Sequence, residues 1–386
     1  MGYKSTIVTL GAAHALDHSF LAALPPILLL IIQDLGVTLQ TMSLIATVAY
    51  LLFGAGALIG GPLADKIGEA RVLFISLILA GAASFIPFLD SGLQGLTVGL
   101  VLMSAATSFY HPTANSLISK AYEKQIGQAM AIHGVGGSIG QVFIPSISVV
   151  LAMALGWRFS FAFFGALSIL VAVPLLKVRS ERARKSPTVS SRLASFRSRE
   201  LWIVLCYNAF TGLYFRGTEL FVPTFLVTDR GFTIQSAALG VSLLMAFGVA
   251  GQVLGGAATD RMGGRKALIL ESVGVTLAFL FFLMGGMYGA IAFLALYGLS
   301  LYATQPTTNA LTADASPGDV RGLVYGISFF LSFGLGSVSS AMAGYIAAGP
   351  GLSWSFVALM LMSILALGVS PLVMGATGSR SPNPSK

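Results

Sequence analysis

The sequence predicts an all-α membrane protein of twelve transmembrane helices in two pseudo-symmetric six-helix bundles, and three observations carry that prediction. The first is composition. Of 386 residues 55% are hydrophobic and only 9% charged, with a mean hydropathy of +0.86, where a soluble domain carries roughly 25% charged residues. The second is length: apolar runs of about 20 residues, each able to cross about 30 Å of hydrocarbon as a helix, recur from end to end without β-barrel alternation. The third is an internal repeat that relates the two halves of the chain.

Charged and Gly/Pro-rich punctuation divides the chain into segments near 6–32, 41–64, 71–89, 93–119, 126–153, 157–177, 200–228, 236–259, 267–286, 288–313, 321–348 and 352–375. The first is too long, and too polar at His14, Asp17 and His18, for a signal-peptide core. It is expected to remain as a membrane helix. Its Pro25-Pro26 pair and Pro223 of the seventh segment are expected to kink the outer ends. The fifth segment carries Gly134-Val-Gly136-Gly137-Ser-Ile-Gly140 with Pro145, and the eleventh Gly334-Leu-Gly336; both permit close packing and bending where two bundles meet. Glu271 stands five residues from Lys266 in the ninth segment and reads as an interfacial charge. The only cysteine, Cys206, leaves neither a disulfide framework nor a cysteine metal site.

Residues 178–198 form a basic, serine-rich interruption, read as a cytoplasmic linker between one bundle at 1–177 and another at 199–386 that ends in a short tail. Of 22 basic residues, Arg216 lies inside a segment and only Arg158 and Arg230 fall in loops of one side, leaving 19 on the other. The positive-inside rule makes that richer side cytoplasmic, with both termini on it, in a cytoplasmic (inner) membrane. The +8 net charge therefore reports topology and lipid contact, not a nucleic-acid partner.

The repeat is read directly from residues. Asp34-Leu-Gly-Val-Thr-Leu-Gln40 recurs as Asp229-Arg-Gly-Phe-Thr-Ile-Gln235; Gly60-Gly61-Pro-Leu-Ala-Asp65-Lys-Ile-Gly68 recurs as Gly255-Gly256-Ala-Ala-Thr-Asp260-Arg-Met-Gly263; His111-Pro112-Thr113-Ala-Asn115 recurs as Gln305-Pro306-Thr307-Thr-Asn309. Three matches in one order indicate duplication. Six crossings per half is even, so the halves share one orientation about an axis along the membrane normal.

The run Gly61-x-Leu63-Ala64-Asp65-Lys66-x-Gly68-x-x-Arg71 resembles the signature between helices 2 and 3 of the major facilitator superfamily, over essentially the whole chain. Glu69 and Ala70 stand where that family usually has basic residues. The resemblance implies two bundles rocking about a central cavity, with Asp65, Arg71, Asp260 and Arg261 in the gating loops. The His/Asp cluster of the first segment, Tyr110-His111-Pro112, and Gly127-x-Ala129-x-x-x-His133-Gly134-x-Gly136-Gly137 are similar to fosmidomycin-resistance-type exporters within it.

Ionisable side chains inside apolar runs mark candidate sites. His14, Asp17 and His18 share one helix face. Counted from Lys4, Lys120 and Lys124 at about 1.5 Å per residue, His14, His111 and His133 lie at a common depth of about 14 Å. Imidazole titrates near neutrality and a buried carboxylate can be tuned, so Asp17, His14, His18 and Glu219 are the expected proton-coupling residues. Arg216, with Glu219 three residues on, can pair when empty and offer a fork to an anion. With it, His111, Tyr110, Asn115, His133, Tyr214, Gln305 and Asn309 are expected to line the substrate site.

The expected function is proton-coupled secondary transport by alternating access, exporting a small polar or anionic compound, with the proton gradient as driving force, no cofactor, no resident metal and a monomeric unit. Uptake of a small organic anion is the alternative, and a transition-metal carrier using the histidines is a further one. There are no catalytic residues to assign. No nucleophile is set beside a base, and no G-x-x-x-x-G-K-[ST] loop for ATP occurs.

Overall fold

The structure, a computed structural model, describes residues 3–122, 125–178, 198–316 and 321–373. Most of the expected linker, at 179–197, and the expected tail at 374–386 lie outside the described residues. Among the described residues twelve long helical segments follow one another: α1 (Lys4–Leu35), α2 (Leu39–Ile67), α3 (Glu69–Leu89), α4 (Leu93–Ala121), α5 (Ile126–Leu155), α6 (Trp157–Lys177), α7 (Arg199–Arg230), α8 (Ile234–Met262), α9 (Gly264–Met284), α10 (Gly286–Ala315), α11 (Gly322–Ala348) and α12 (Leu352–Leu372). Eleven are long and apolar enough to cross a membrane. The other, α7, carries Arg216 and Glu219 in its middle.

The repeated Asp34–Gln40 and Asp229–Gln235 runs prove to be turn chemistry. Gly36 (φ 61°) and Gly231 (φ 74°) end α1 and α7 in the left-handed region, which a side chain adopts only with strain. Two residues later Thr38 and Thr233 cap α2 and α8, each accepting from the backbone N–H three residues on at 3.1 Å. Asp34 accepts from Trp157 Nε1 at 2.9 Å and Arg158 at 3.0 Å. Arg158 also donates to the Pro87 and Ser91 carbonyls past the body of α3, as Arg230 does to Phe282 and Leu283 near the end of α9. The two basic residues on the poor side of the chain thus tie off helix C-termini, where exposed carbonyls favour a cation.

Within the first half, α1 packs on α5 and α6, and α3 on α4 and α6; within the second, α8 and α9 pack on α10, and α7 on α11 and α12. Three seams join the halves, α5 with α8, α2 with α11 and α1 with α7. Ser146 and Ser242 hydroxyls meet at 2.8 Å in the first, and Thr47 donates to the Ser337 carbonyl at 3.1 Å in the second. Proline acts unequally: α1 breaks at Ala23 just before Pro25-Pro26, whereas α7 runs unbroken through Pro223.

Gly136, Gly137 and Gly140 of α5 do not lie where the halves meet. Gly136 stands backbone to backbone on Gly11, Gly140 packs on Ala15, and Gly137 lies under the His14 ring, all against α1 of the same half. Their smallness lets α1 and α5 approach closely and leaves room for an imidazole. A Cβ at 136 would sit 2.6 Å from Gly11 Cα and 2.7 Å from its carbonyl oxygen. Backbone on both sides cannot give way, so Gly136→Ala is expected to cost about 1–3 kcal/mol, read as a lowered melting temperature in detergent. The α11 glycines do reach the seam: Gly334 lies against Gly54 of α2, and Gly336 against Gly212 of α7. There α11 widens into a π-helical turn, Phe330–Gly334, a distortion frequent at functional sites.

Candidate substrate and proton site

All four histidines meet in the first half. His14 and His18, one turn apart on α1, approach Nε2 to Nε2 at 3.1 Å. His14 Nδ1 lies 3.0 Å from the His133 carbonyl oxygen and its ring stacks on the His133 ring, centroids 4.2 Å apart. His111 of α4 stands edge-on to His14 at 5.0 Å and 5.1 Å from the His18 ring. A carbonyl only accepts, so His14 Nδ1 carries hydrogen and its Nε2 presents a lone pair; His18 Nε2–H then donates to it. Tyr110 donates to the Leu10 carbonyl at 2.6 Å and so accepts from His133 Nε2–H at 3.2 Å. His133 and Tyr110 are thereby committed to holding α1, α4 and α5 together.

Asp17 is fully buried in this group, 0% exposed. Its Oδ2 lies 3.3 Å from His111 Nε2, yet among the described residues neither carboxylate oxygen nor that nitrogen makes an aligned hydrogen bond. A buried carboxylate so poorly satisfied is costly as a purely structural element.

In the second half Arg216 pairs with Glu219 on one face of α7. The guanidinium is 3% exposed, and its Nε has no partner among the described residues. It stacks on Phe333 of α11 at 4.1 Å and Phe215 at 4.3 Å, with the Tyr50 ring of α2 at 5.4 Å. Arg216 therefore sits on the seam, between rings of α2 and α11. Between Arg216 and His111 lies an aromatic layer, with Phe329 5.2 Å and Phe53 6.0 Å from His111 and Phe329 stacked on Phe333 at 4.2 Å. Glu219 borders a narrow apolar crevice with Pro25, Pro145, Met245 and Tyr297. Tyr50, Phe53, Phe329 and Phe333 were not among the expected site residues, because a phenyl ring in an apolar helix carries no distinguishing sequence signal.

The remaining expected residues divide. Asn115, Gln305 and Asn309 are exposed, toward the helix ends that bear Lys66 and Lys120, and Gln252 donates to Gln305 at 3.0 Å. Tyr214 is instead buried, 1% exposed, edge-on to Phe279 in the second half and away from the histidines. Asp65, Arg71, Asp260 and Arg261 are exposed in the terminal turns of α2, α3 and α8, and among the described residues neither Asp makes an ion pair. Glu69 is 1% exposed and binds Lys120 and Ser116 of α4, the Ser116 bond being 3.1 Å. A carboxylate in a position usually basic thus closes a contact inside the first half. Glu271 is a correction: it is 6% exposed, not interfacial, and accepts from Thr307 of α10 at 2.8 Å. Five residues from Lys266 fix its depth, but its helix face turns it inward.

The sequence model described as Major Facilitator Superfamily matches residues 10–341. The chain belongs to the major facilitator superfamily. Among major facilitator relatives it is similar to the hexuronate transporter of Bacillus subtilis (strain 168), 23% identical with 97% of this chain and 96% of the relative covered. It is similar as well to the fosmidomycin resistance protein of Escherichia coli (strain K12), 23% identical over 74% of this chain and 70% of the relative. The fold matches a bacterial homologue of the human lysosomal transporter Spinster, in an inward-facing and occupied conformation, at a TM-score of 0.78 with 19% identity and 97% of both chains covered. The protein is thus a multi-pass membrane transporter of small molecules, not an enzyme, built on the twelve-helix major facilitator fold.

Proposed function

We propose that this protein is a proton-coupled carrier of a small organic anion, working by alternating access with export as its direction. The observation that carries the reading is the buried Arg216, paired with Glu219 on the seam between the halves. A planar fork suits a carboxylate or phosphonate, and an arriving anion would compete with Glu219 for it. Released, Glu219 takes a proton, while Asp17, buried beside His111, supplies a second protonation point. Conformational change then depends on which charges are neutralised, since a ligand shifts an equilibrium only through differential affinity for its states.

In this reading residues 1–177 and 199–386 are the rocking bodies, joined by 178–198, with both termini cytoplasmic. Asn115, Gln305 and Asn309 line the entry, Asp65, Arg71, Asp260 and Arg261 form its gating loops, and the unit in the inner membrane is a monomer. Likeness to a fosmidomycin resistance protein favours export of a phosphonate-like compound; likeness to a hexuronate transporter favours the second reading, uptake of a sugar acid. Purified protein in liposomes, offered a hexuronate and a phosphonate under an imposed pH gradient, tests both. Flux is expected to follow the gradient and to collapse with a protonophore. Flux indifferent to the gradient for every anion transported overturns proton coupling.

A further inference from the structure

We infer that His14, His18 and His111 form a binding site for one borderline divalent transition-metal ion of the Zn²⁺, Co²⁺ or Ni²⁺ type. Each offers a ring nitrogen, and the three nitrogens lie within 4.8 Å of one another. Tetrahedral Zn²⁺ with Zn–N bonds of about 2.0–2.1 Å sets its ligand atoms about 3.3 Å apart. The His14 and His18 Nε2 atoms, 3.1 Å apart, already have nearly that spacing. His111 completes the triangle by closing about 1.5 Å, and its side chain is 18% exposed.

Two further features fit a ligand set better than packing. His14 gives its other nitrogen's hydrogen to the His133 carbonyl at 3.0 Å, the outer contact that orients a metal-bound imidazole and fixes its tautomer. Asp17, 0% exposed with both oxygens unsatisfied, stands 3.3 Å from His111 Nε2. Its charge offsets that of a divalent cation, although its oxygens are not among the atoms that converge with the three ring nitrogens. In the metal-free state the His18 Nε2–H donates to the His14 lone pair; on binding, the neutral His18 ring carries its hydrogen on Nδ1 instead, which frees Nε2 for the metal with no net proton released. His133 is excluded as a ligand through Nε2 because Tyr110 occupies it.

The test uses the full-length protein in detergent with the metal alone. Co²⁺ is expected to give the intense visible absorption of a four-coordinate site at one equivalent, and Zn²⁺ to abolish it. His18→Gln and His111→Gln should each lose the absorption while retaining the wild-type melting temperature, and Glu219→Gln should keep it. A weak six-coordinate spectrum from the wild type overturns the inference, as does a four-coordinate spectrum unchanged in both histidine variants. Because wild type alone gives the first readout, misfolding of a variant leaves the test intact. The metal titration involves no transport, so its failure is separate from failure of the anion-carrier reading.

Discussion

Asp17→Asn is expected to abolish accumulation driven by a pH gradient, down to the level of empty liposomes, while the purified protein stays folded and monodisperse. Asparagine keeps the shape of the side chain, so a group that is 0% exposed remains packed. Only the ability to gain and lose a proton is removed. The position makes that loss decisive: ionisable groups in a membrane interior are expensive and belong to ion pathways, and this carboxylate has no aligned hydrogen bond to recommend it as structure. Exchange of labelled for unlabelled anion at equal pH should survive, because exchange needs binding and movement but no net proton transfer. Gradient-driven accumulation at the wild-type level would falsify the assignment of Asp17 as a coupling residue, and loss of both readouts would move it to substrate binding or to gating.

Apolar run length is a property of the chain itself, which is why the helices and their order could be read before the fold was known. The repeated Asp34–Gln40 and Asp229–Gln235 runs were equally legible, since Gly36, Thr38 and their partners act within a few residues of their own position. The histidine cluster was legible because imidazoles in apolar helices are conspicuous, and the depths counted from Lys4, Lys120 and Lys124 placed His14, His111 and His133 in one layer. Counting gives depth but no azimuth. Glu271 was therefore placed correctly along α9 and wrongly around it, where it turns to Thr307. The same limit hid the α5 glycines' partner, which is α1 rather than the opposite half. The layer of Phe53, Phe329 and Phe333 depends on a seam between segments far apart in sequence and on a π-helical turn. No local pattern specifies either. At the repeat position of Asp17 the second half has Gly212, and α11 fills that place with backbone, so duplication has left one half with a charge cluster and the other with a helix contact.

The second large effect is expected at Arg216. Arg216→Ala leaves the Glu219 carboxylate buried without its cation, and breaking a buried pair from one side costs about 3–5 kcal/mol. It also removes the guanidinium from Phe333 and Phe215, contacts worth up to about 2 kcal/mol each when desolvated. The variant should melt well below wild type and carry no anion. Stability and function are separable here, because a pair removed from both sides leaves no orphaned charge: Arg216→Met combined with Glu219→Leu is expected to recover most of the melting temperature and none of the transport. Arg216→Lys discriminates further, keeping the charge but losing the planar fork and its stacking, so it should fold and bind anion more weakly. Thermal melts with and without the transported anion provide the measurement, since a ligand that binds only the folded state raises the melting temperature by mass action. A wild-type-sized anion shift in the double variant would remove Arg216 from the substrate site and leave the pair as a fastening between α7 and the seam.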